Sequence, residues 1–340
     1  MNFSSDTSAP AHPAVIEALA GANSGMEASY GGDSVTAGLR AKLAAVFDTE
    51  DFDYWLTASG TASNALALSC FCSPIGAVLC HEEAHIAMDE RGAPEFFSGG
   101  GKLKLLTGFG ARIDRAALET ALGQINPGFV HGTPAEVLSL TNLTECGTAY
   151  RAAEIALYAG LAKEKGLSVH LDGARLGNVL ASGKASAADM SWRAGVDVLT
   201  FGLTKTGAIG CEIILLFGGA RKKFSELRAR AKRSGHMPPK MRFLATQAHA
   251  MLEDRLWLTL AGQANASAAA LTDVFTGAGY ALAYPVDGNE VFPILPEDVA
   301  QRLMAAGAKF YPWPGGACRF VCSWNTAEAD IAALAGALKA

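Results

Sequence analysis

Apolar positions in this chain recur with two different periods. Short runs rich in β-branched, aromatic and aliphatic residues read as buried strands: Tyr54-Trp55-Leu56-Thr57, Ala77-Val78-Leu79-Cys80, Val137-Leu138-Ser139-Leu140, Leu167–Leu171, Val198-Leu199-Thr200-Phe201 and Ile213–Phe217. Stretches with helical spacing lie between them. Val35–Phe47 puts Leu39, Leu43 and Phe47 on one face, and Ser59-Gly60-Thr61 opens a helix carrying Ala62, Ala65, Leu66 and Leu68. Asp114 caps a helix through Leu122, and Thr148–Lys165 is stopped by Gly166. Pro13–Ala20 is a shorter helix. Strands and helices alternating from Ala62 to Phe217 predict an α/β domain with a mostly parallel sheet. Past Gly235 the pattern changes to helices over Lys240–Ala261 and Ala264–Thr276. Strands near Val291–Leu295 and Arg319–Ser323 follow, with helices over Glu297–Ala306 and from Glu328. The expected division is a large domain over residues 1–240, N-terminal segment included, and a small α+β domain over residues 241–340.

Composition narrows the class. Half of the 340 residues are hydrophobic and 18% are charged, enough for a sizeable core and unlike a disordered chain. A net charge of −5 gives no electrostatic footprint for nucleic acid. The densest basic run, Arg221–Arg233, contains Glu226 and reads as a solvated helix face or a local anion site. Seven cysteines sit mostly within apolar runs and form no C-x-x-C, a pattern of reduced thiols rather than a disulfide framework. MNFSSDTSAP has neither the basic nor the apolar region of a signal peptide, and no apolar run approaches membrane-spanning length. A cytoplasmic enzyme or binding protein is expected, with neither nucleic acid nor membrane as partner.

Candidate chemistry collects where strands end, the place where α/β sheets bind ligands. Thr204-Lys205-Thr206-Gly207 carries a lysine out of an apolar strand into a small-residue loop. Its amine is either committed covalently, as in a Schiff base, or snorkels to water. Ser59-Gly60-Thr61 suits a phosphate or serves as an ordinary N-cap. Asp172 closes a strand, where a carboxylate either keeps a pyridinium nitrogen protonated or caps a turn. Arg175 on the same loop has a fork suited to a carboxylate or a ring oxygen. Arg319 is either turned inward onto an anion or exposed on a half-buried strand. His81-Glu82-Glu83-Ala84-His85 matches H-E-x-x-H, but zinc chemistry needs both histidines on one helix and a third ligand. Here the first histidine abuts a strand and no third ligand stands out, so coincidence is the better reading. The other functional reading stacks one histidine on an aromatic cofactor.

Taken together, Ser59-Gly60-Thr61, His85, the H-L-D-G-A-R-L block at His170–Leu176 and Leu203-Thr204-Lys205 stand in the order of a fold-type I, aspartate aminotransferase-like enzyme dependent on pyridoxal phosphate (PLP). With Ser5-Asp6-Thr7, Tyr30-Gly31-Gly32-Asp33 and Arg319 added, the whole chain resembles the low-specificity L-threonine aldolases and their phenylserine aldolase relatives. The resemblance implies that Lys205 carries PLP and that Gly60 and Thr61 hold its phosphate, helped by Ser59 and Asn64, with Thr204 touching it. It also implies that His85 stacks on the ring, Asp172 pairs with the pyridinium nitrogen, and Arg175 binds a ring oxygen or the substrate carboxylate. Ser5 and Arg319 would complete the carboxylate site. Tyr30 would reach the site of a neighbouring subunit in a homodimer or homotetramer.

The implied reaction is cleavage of L-threonine, L-allo-threonine or related L-β-hydroxy-α-amino acids, phenylserine among them, to glycine and an aldehyde. No metal is implied. One segment departs from the family, in which many members carry Asn-Thr-His-Asn-Gly. The corresponding loop here is Asn142-Leu143-Thr144-Glu145-Cys146-Gly147, with Glu145 near the histidine's place. Glu145 and His85 are therefore both candidates for the base that takes the hydroxyl proton. The rivals are another fold-type I lyase catalysing β-elimination or decarboxylation, a zinc hydrolase using His81 and His85, and a silent binding protein of the same fold.

Overall fold

A computed structural model describes residues 1–339. Seven strands form the main sheet: β1 (Phe52–Thr57), β2 (Ala77–His81), β3 (Lys102–Leu106), β4 (Ala135–Thr141), β5 (Ser168–Gly173), β6 (Val198–Gly202) and β7 (Glu212–Phe217). Their order is β1-β7-β6-β5-β4-β2-β3. The pairs β2–β3, β2–β4, β4–β5 and β5–β6 are parallel, whereas β7 runs antiparallel to both β1 and β6. Strands β1, β2, β4, β5 and β6 therefore end on one edge of the sheet, and β7 begins there. Strands β6 and β7 are buried along their whole length and β5 from Val169 onward, as their apolar runs require.

One strand escapes the apolar pattern. β3 reads Lys-Leu-Lys-Leu-Leu and lies at the sheet edge, where lysines solvate an otherwise pairing-competent backbone.

The helix Gly60–Phe71 follows β1 directly and is buried from Ala62 to Cys70. Ser59 caps it, its Oγ accepting from the Ala62 N–H at 3.3 Å. The helix expected from Thr148 begins only at Ala152. Residues before it form a pinned loop: the Thr144 and Thr148 hydroxyls donate to the Gly110 carbonyl at 2.9 and 2.7 Å. Asn142 closes the loop from inside, donating to Tyr150 O and accepting from Tyr150 N, each at 3.1 Å. The two late helices are Arg242–Leu252 and Leu256–Gly277, so the break falls at 253–255 rather than after Ala261. Asp254 and Arg255 take left-handed backbone there (φ 45° and 57°), while Leu260, Ala261, Ala264, Ala268 and Leu271 keep one buried stripe running through the expected break.

A second, antiparallel sheet is built from β8 (Glu290–Val291), β9 (Tyr311–Trp313) and β10 (Ala317–Val321), in the order β8-β10-β9. Its core gathers Phe275, Val291, Leu303, Phe310, Phe320 and Leu334 around the Phe310–Phe320 stack, at 4.3 Å between centroids. Phe3 from the N-terminus inserts into this second core, and Asn2 bridges to Lys309. Met241, Ala245, Trp257 and Leu260 pack into the core of the large sheet. All seven cysteines are free and buried. Among the described residues, no helix is long and apolar enough to cross a membrane.

Candidate active site

At the edge where the parallel strands end lies a cavity of about 220 Å³. Ser59–Thr61 reach it from the end of β1, His85 from beyond β2, Thr141, Leu143 and Glu145 from the end of β4 and the loop after it, Asp172, Ala174 and Arg175 from the end of β5 and Thr204-Lys205 from β6. Asn64, Thr7 and Glu212, the first residue of β7, complete the wall.

Glycine makes this convergence possible. A Cβ on Gly202 would stand 2.5 Å from the Ala174 carbonyl oxygen, so only glycine lets the end of β6 abut the turn after Asp172. Lys205 then emerges on a single 3-10 turn, Thr204–Thr206, closed by Gly207 at φ 133°. Thr204 braces that turn, its Oγ1 accepting from the Cys211 N–H at 3.0 Å.

Asp172 is 3% exposed. Its Oδ1 accepts from the Ala174 N–H at 3.0 Å and its Oδ2 from Asn64 Nδ2 at 2.8 Å. The second proton of the Asn64 amide goes to Glu90 Oε1 at 2.9 Å, and the same Oε1 meets His85 Nδ1 at 2.8 Å. That bond raises the affinity of His85 for a proton; burial opposes it and the Asp172 charge adds to it. Burial raises the Glu90 carboxyl, against its bonds to His85 and Asn64.

Two more acids face this space with an oxygen left over. Glu145 Oε2 and Glu212 Oε2 are both sealed from solvent with no hydrogen-bond partner. Burial, with the Asp172 charge added, lifts Glu145 to about 7. Burial likewise lifts Glu212 to about 7, although a bond with Thr204 and the charge of Lys205 work against it.

The arginines are already engaged. Arg175 donates from Nε and Nη2 to Asp6 at 2.7 and 3.1 Å, and lies 3.7 Å from Glu290. Burial pushes the Asp6 carboxyl up, but Arg175 and Lys205 outweigh it and hold it at about 2. Arg319 donates from Nε and Nη2 to Glu290 Oε1 at 3.0 and 2.5 Å. It does not line the cavity and connects to Arg175 through Glu290. Ser5 caps the turn Asp6–Ser8 through its bonds to Thr7, and the residue that lines the cavity from this segment is Thr7. Tyr30 lies elsewhere, exposed, with the Lys232 ammonium 4.1 Å above its ring. Asn64 serves the two carboxylates rather than the helix N-terminus.

The two halves of H-E-x-x-H separate. His81 ends β2 with Nε2 at 3.1 Å from the Gly108 carbonyl and Nδ1 accepting from the Glu83 N–H at 3.0 Å. His85 opens a different element, the single turn His85–Met88. Both ring nitrogens of His81 are taken by backbone, so the pair cannot act as two zinc ligands on one helix face.

The cavity does fit the cofactor implied by the sequence. An amine at Lys205, a buried carboxylate at Asp172 and a helix N-terminus with two hydroxyls at Ser59–Thr61 surround one small space. A Cβ on Gly60 would meet nothing, so the helix N-terminus is open toward a phosphate. Sequence reasoning gave no role to Asp6, Glu90, Glu212 or Glu290. Glu212 had left a signal, as a charge at the head of the apolar run Ile213–Phe217.

Comparisons with known proteins agree with this geometry. Residues 2–297 match the family described as beta-eliminating lyase. A low-specificity L-threonine aldolase of Pseudomonas aeruginosa is 40% identical over 327 residues, 95% of this chain and 93% of that protein. Another, from a Pseudomonas species, is 38% identical over 341 residues, covering 99% and 97%. Among solved structures, a Leishmania major threonine aldolase superimposes with a TM-score of 0.92 at 28% identity, covering 99% of this chain and 98% of that one. With the fold, the cavity and these relatives in agreement, the chain belongs to the threonine aldolases of the beta-eliminating lyase family.

Proposed function

We propose that the protein is a PLP-dependent lyase that cleaves L-threonine, L-allo-threonine or related L-β-hydroxy-α-amino acids, phenylserine included, to glycine and an aldehyde. The observation that carries the reading is Glu145: an acid with a free, buried oxygen on the same cavity as Lys205 and Asp172. A retro-aldol step needs a group to take the β-hydroxyl proton, and a carboxyl titrating near 7 is suited to that work.

When bound, PLP supplies an aldehyde for the substrate's amino group and an electron-poor ring for the electron pair left at Cα. The chain's own residues do the rest. Lys205, on the cavity wall, would hold the cofactor through its amine. Ser59, Gly60 and Thr61 anchor the phosphate, with Thr204 beside them. Asp172, its two oxygens fixed by Ala174 and Asn64, would face the ring nitrogen. His85 packs against the ring. Arg175 is the guanidinium that faces the cavity, and it binds the substrate carboxylate with Asp6 holding its orientation. Ser5 and Arg319 support that site from behind Thr7 and Glu290. Tyr30 serves the cavity of a neighbouring copy, in a homodimer or homotetramer working in the cytoplasm. The large domain spans residues 1–240 and the small domain residues 241–340, whose first helices, from Met241 to Leu260, reach into the core of the large sheet.

Incubation with L-threonine, L-allo-threonine and phenylserine tests the reading. Glycine plus the matching aldehyde is expected. A keto acid without glycine would point instead to β-elimination, and an amine to decarboxylation.

A further inference from the structure

Behind His85 stands an acid that the proposed reaction does not use. Glu90 lies just after the turn His85–Met88, and its side chain is 0% exposed. Its Oε1 takes two bonds, from His85 Nδ1 at 2.8 Å and from Asn64 Nδ2 at 2.9 Å. The Asn64 amide also donates to Asp172 Oδ2 at 2.8 Å. His85, Glu90, Asn64 and Asp172 thus form one unbroken chain of hydrogen bonds along the cavity wall.

Donor chemistry dictates what this chain does. An ionised carboxylate only accepts, and both protons of the Asn64 amide are committed to carboxylates. The ring nitrogen facing Glu90 must therefore carry the proton, which leaves Nε2 as the acceptor of a neutral His85. Glu90 Oε2 is buried without a partner, so keeping a carboxylate here is costly; an apolar side chain would fill the turn without that cost.

We propose that Glu90 is a positioning residue, holding His85 in its Nδ1–H tautomer and in one ring orientation while Asn64 ties it to Asp172. The assignment rests on the aldolase reading of the cavity, in which His85 packs on the cofactor. The charges that face His85 are Glu90 from just after its own turn, Asp172 from β5, Lys205 from the turn after β6 and Glu145 from the loop after β4.

Nitrogen-15 NMR of the purified, histidine-labelled protein tests the proposal, with the His85 signals assigned from their loss in His85→Asn. Neutral His85 should show the Nδ1–H tautomer and a titration midpoint above 6.5. Glu90→Gln keeps the shape and removes the charge, and should lower that midpoint by about one pH unit. A wild-type ring protonated at Nε2 overturns the proposal, and so does a Glu90→Gln protein with an unmoved midpoint. The wild-type measurement decides even if the variant fails to fold. Because the tautomer is read without turnover, a protein that does not cleave threonine would refute the proposed reaction and leave this result standing.

Discussion

Replacing Glu145 with glutamine removes a proton acceptor while keeping the side chain's shape. Burial, then the Asp172 charge, moves this carboxyl from 4.5 to about 7. If it takes the hydroxyl proton, the wild-type rate should follow its ionised fraction, about one tenth at pH 6 and about nine tenths at pH 8. Glu145→Gln should flatten that limb and lower kcat by roughly 100- to 10,000-fold, the usual worth of a positioned base. Stability should move the other way. A carboxyl raised in the folded state contributes stability that is complete below its unfolded value and is lost as pH rises through 7. The rise from 4.5 to about 7 corresponds to roughly 3 kcal/mol. Urea unfolding should therefore show wild type weakening between pH 5 and 8, and Glu145→Gln weakening less, with the share of Glu212 remaining. Aldehyde release from L-threonine across pH 5.5–8.5 gives the rates. A variant within about threefold of wild type at pH 8, with its acid limb intact, would refute the assignment.

Other expectations follow from the same contacts. Asp172→Asn loses a charge-assisted bond of about 1.5–3 kcal/mol, so PLP should dissociate at least about tenfold more readily, read by fluorescence titration. Asp6→Ala strands the buried Arg175 guanidinium and should cost about 3–5 kcal/mol in urea unfolding. A loss below about 1 kcal/mol would show that the pair is not what holds the N-terminal segment down. Because Asp6 sits at about 2, its contribution should persist at neutral pH and fade only as pH falls below 4 toward 2. Dialysis against a chelator should leave threonine cleavage unchanged, since His81 is bonded to backbone through both nitrogens; loss of activity restored by zinc would contradict that.

Much of this architecture is legible in the sequence because its signals are local. Buried central strands need unbroken apolar runs, and the motifs at their ends are contiguous. What escaped is non-local. Asp6 and Arg175 meet across a separation of 169 residues, and Asn289 and Glu290 join them from the small sheet. No period along the chain reports such a pairing. The four residues after the Glu145 loop, Thr148–Arg151, read as the first turn of the helix that begins at Ala152. The Thr144 and Thr148 hydroxyls instead bond a carbonyl at Gly110. The break at 253–255 leaves no local signal, because Asp254 and Arg255 take left-handed backbone without a glycine to announce it. β3 hid behind its lysines, which an edge strand tolerates and a central one does not.

The central claim is that Lys205 holds PLP at this cavity. It is tested most directly by reducing the purified, yellow protein with borohydride and mapping the labelled peptide. The account predicts a single pyridoxyl group on Lys205, absent from a colourless and inactive Lys205→Ala protein. A label on any other lysine, or a Lys205→Ala protein that still cleaves threonine, would contradict it.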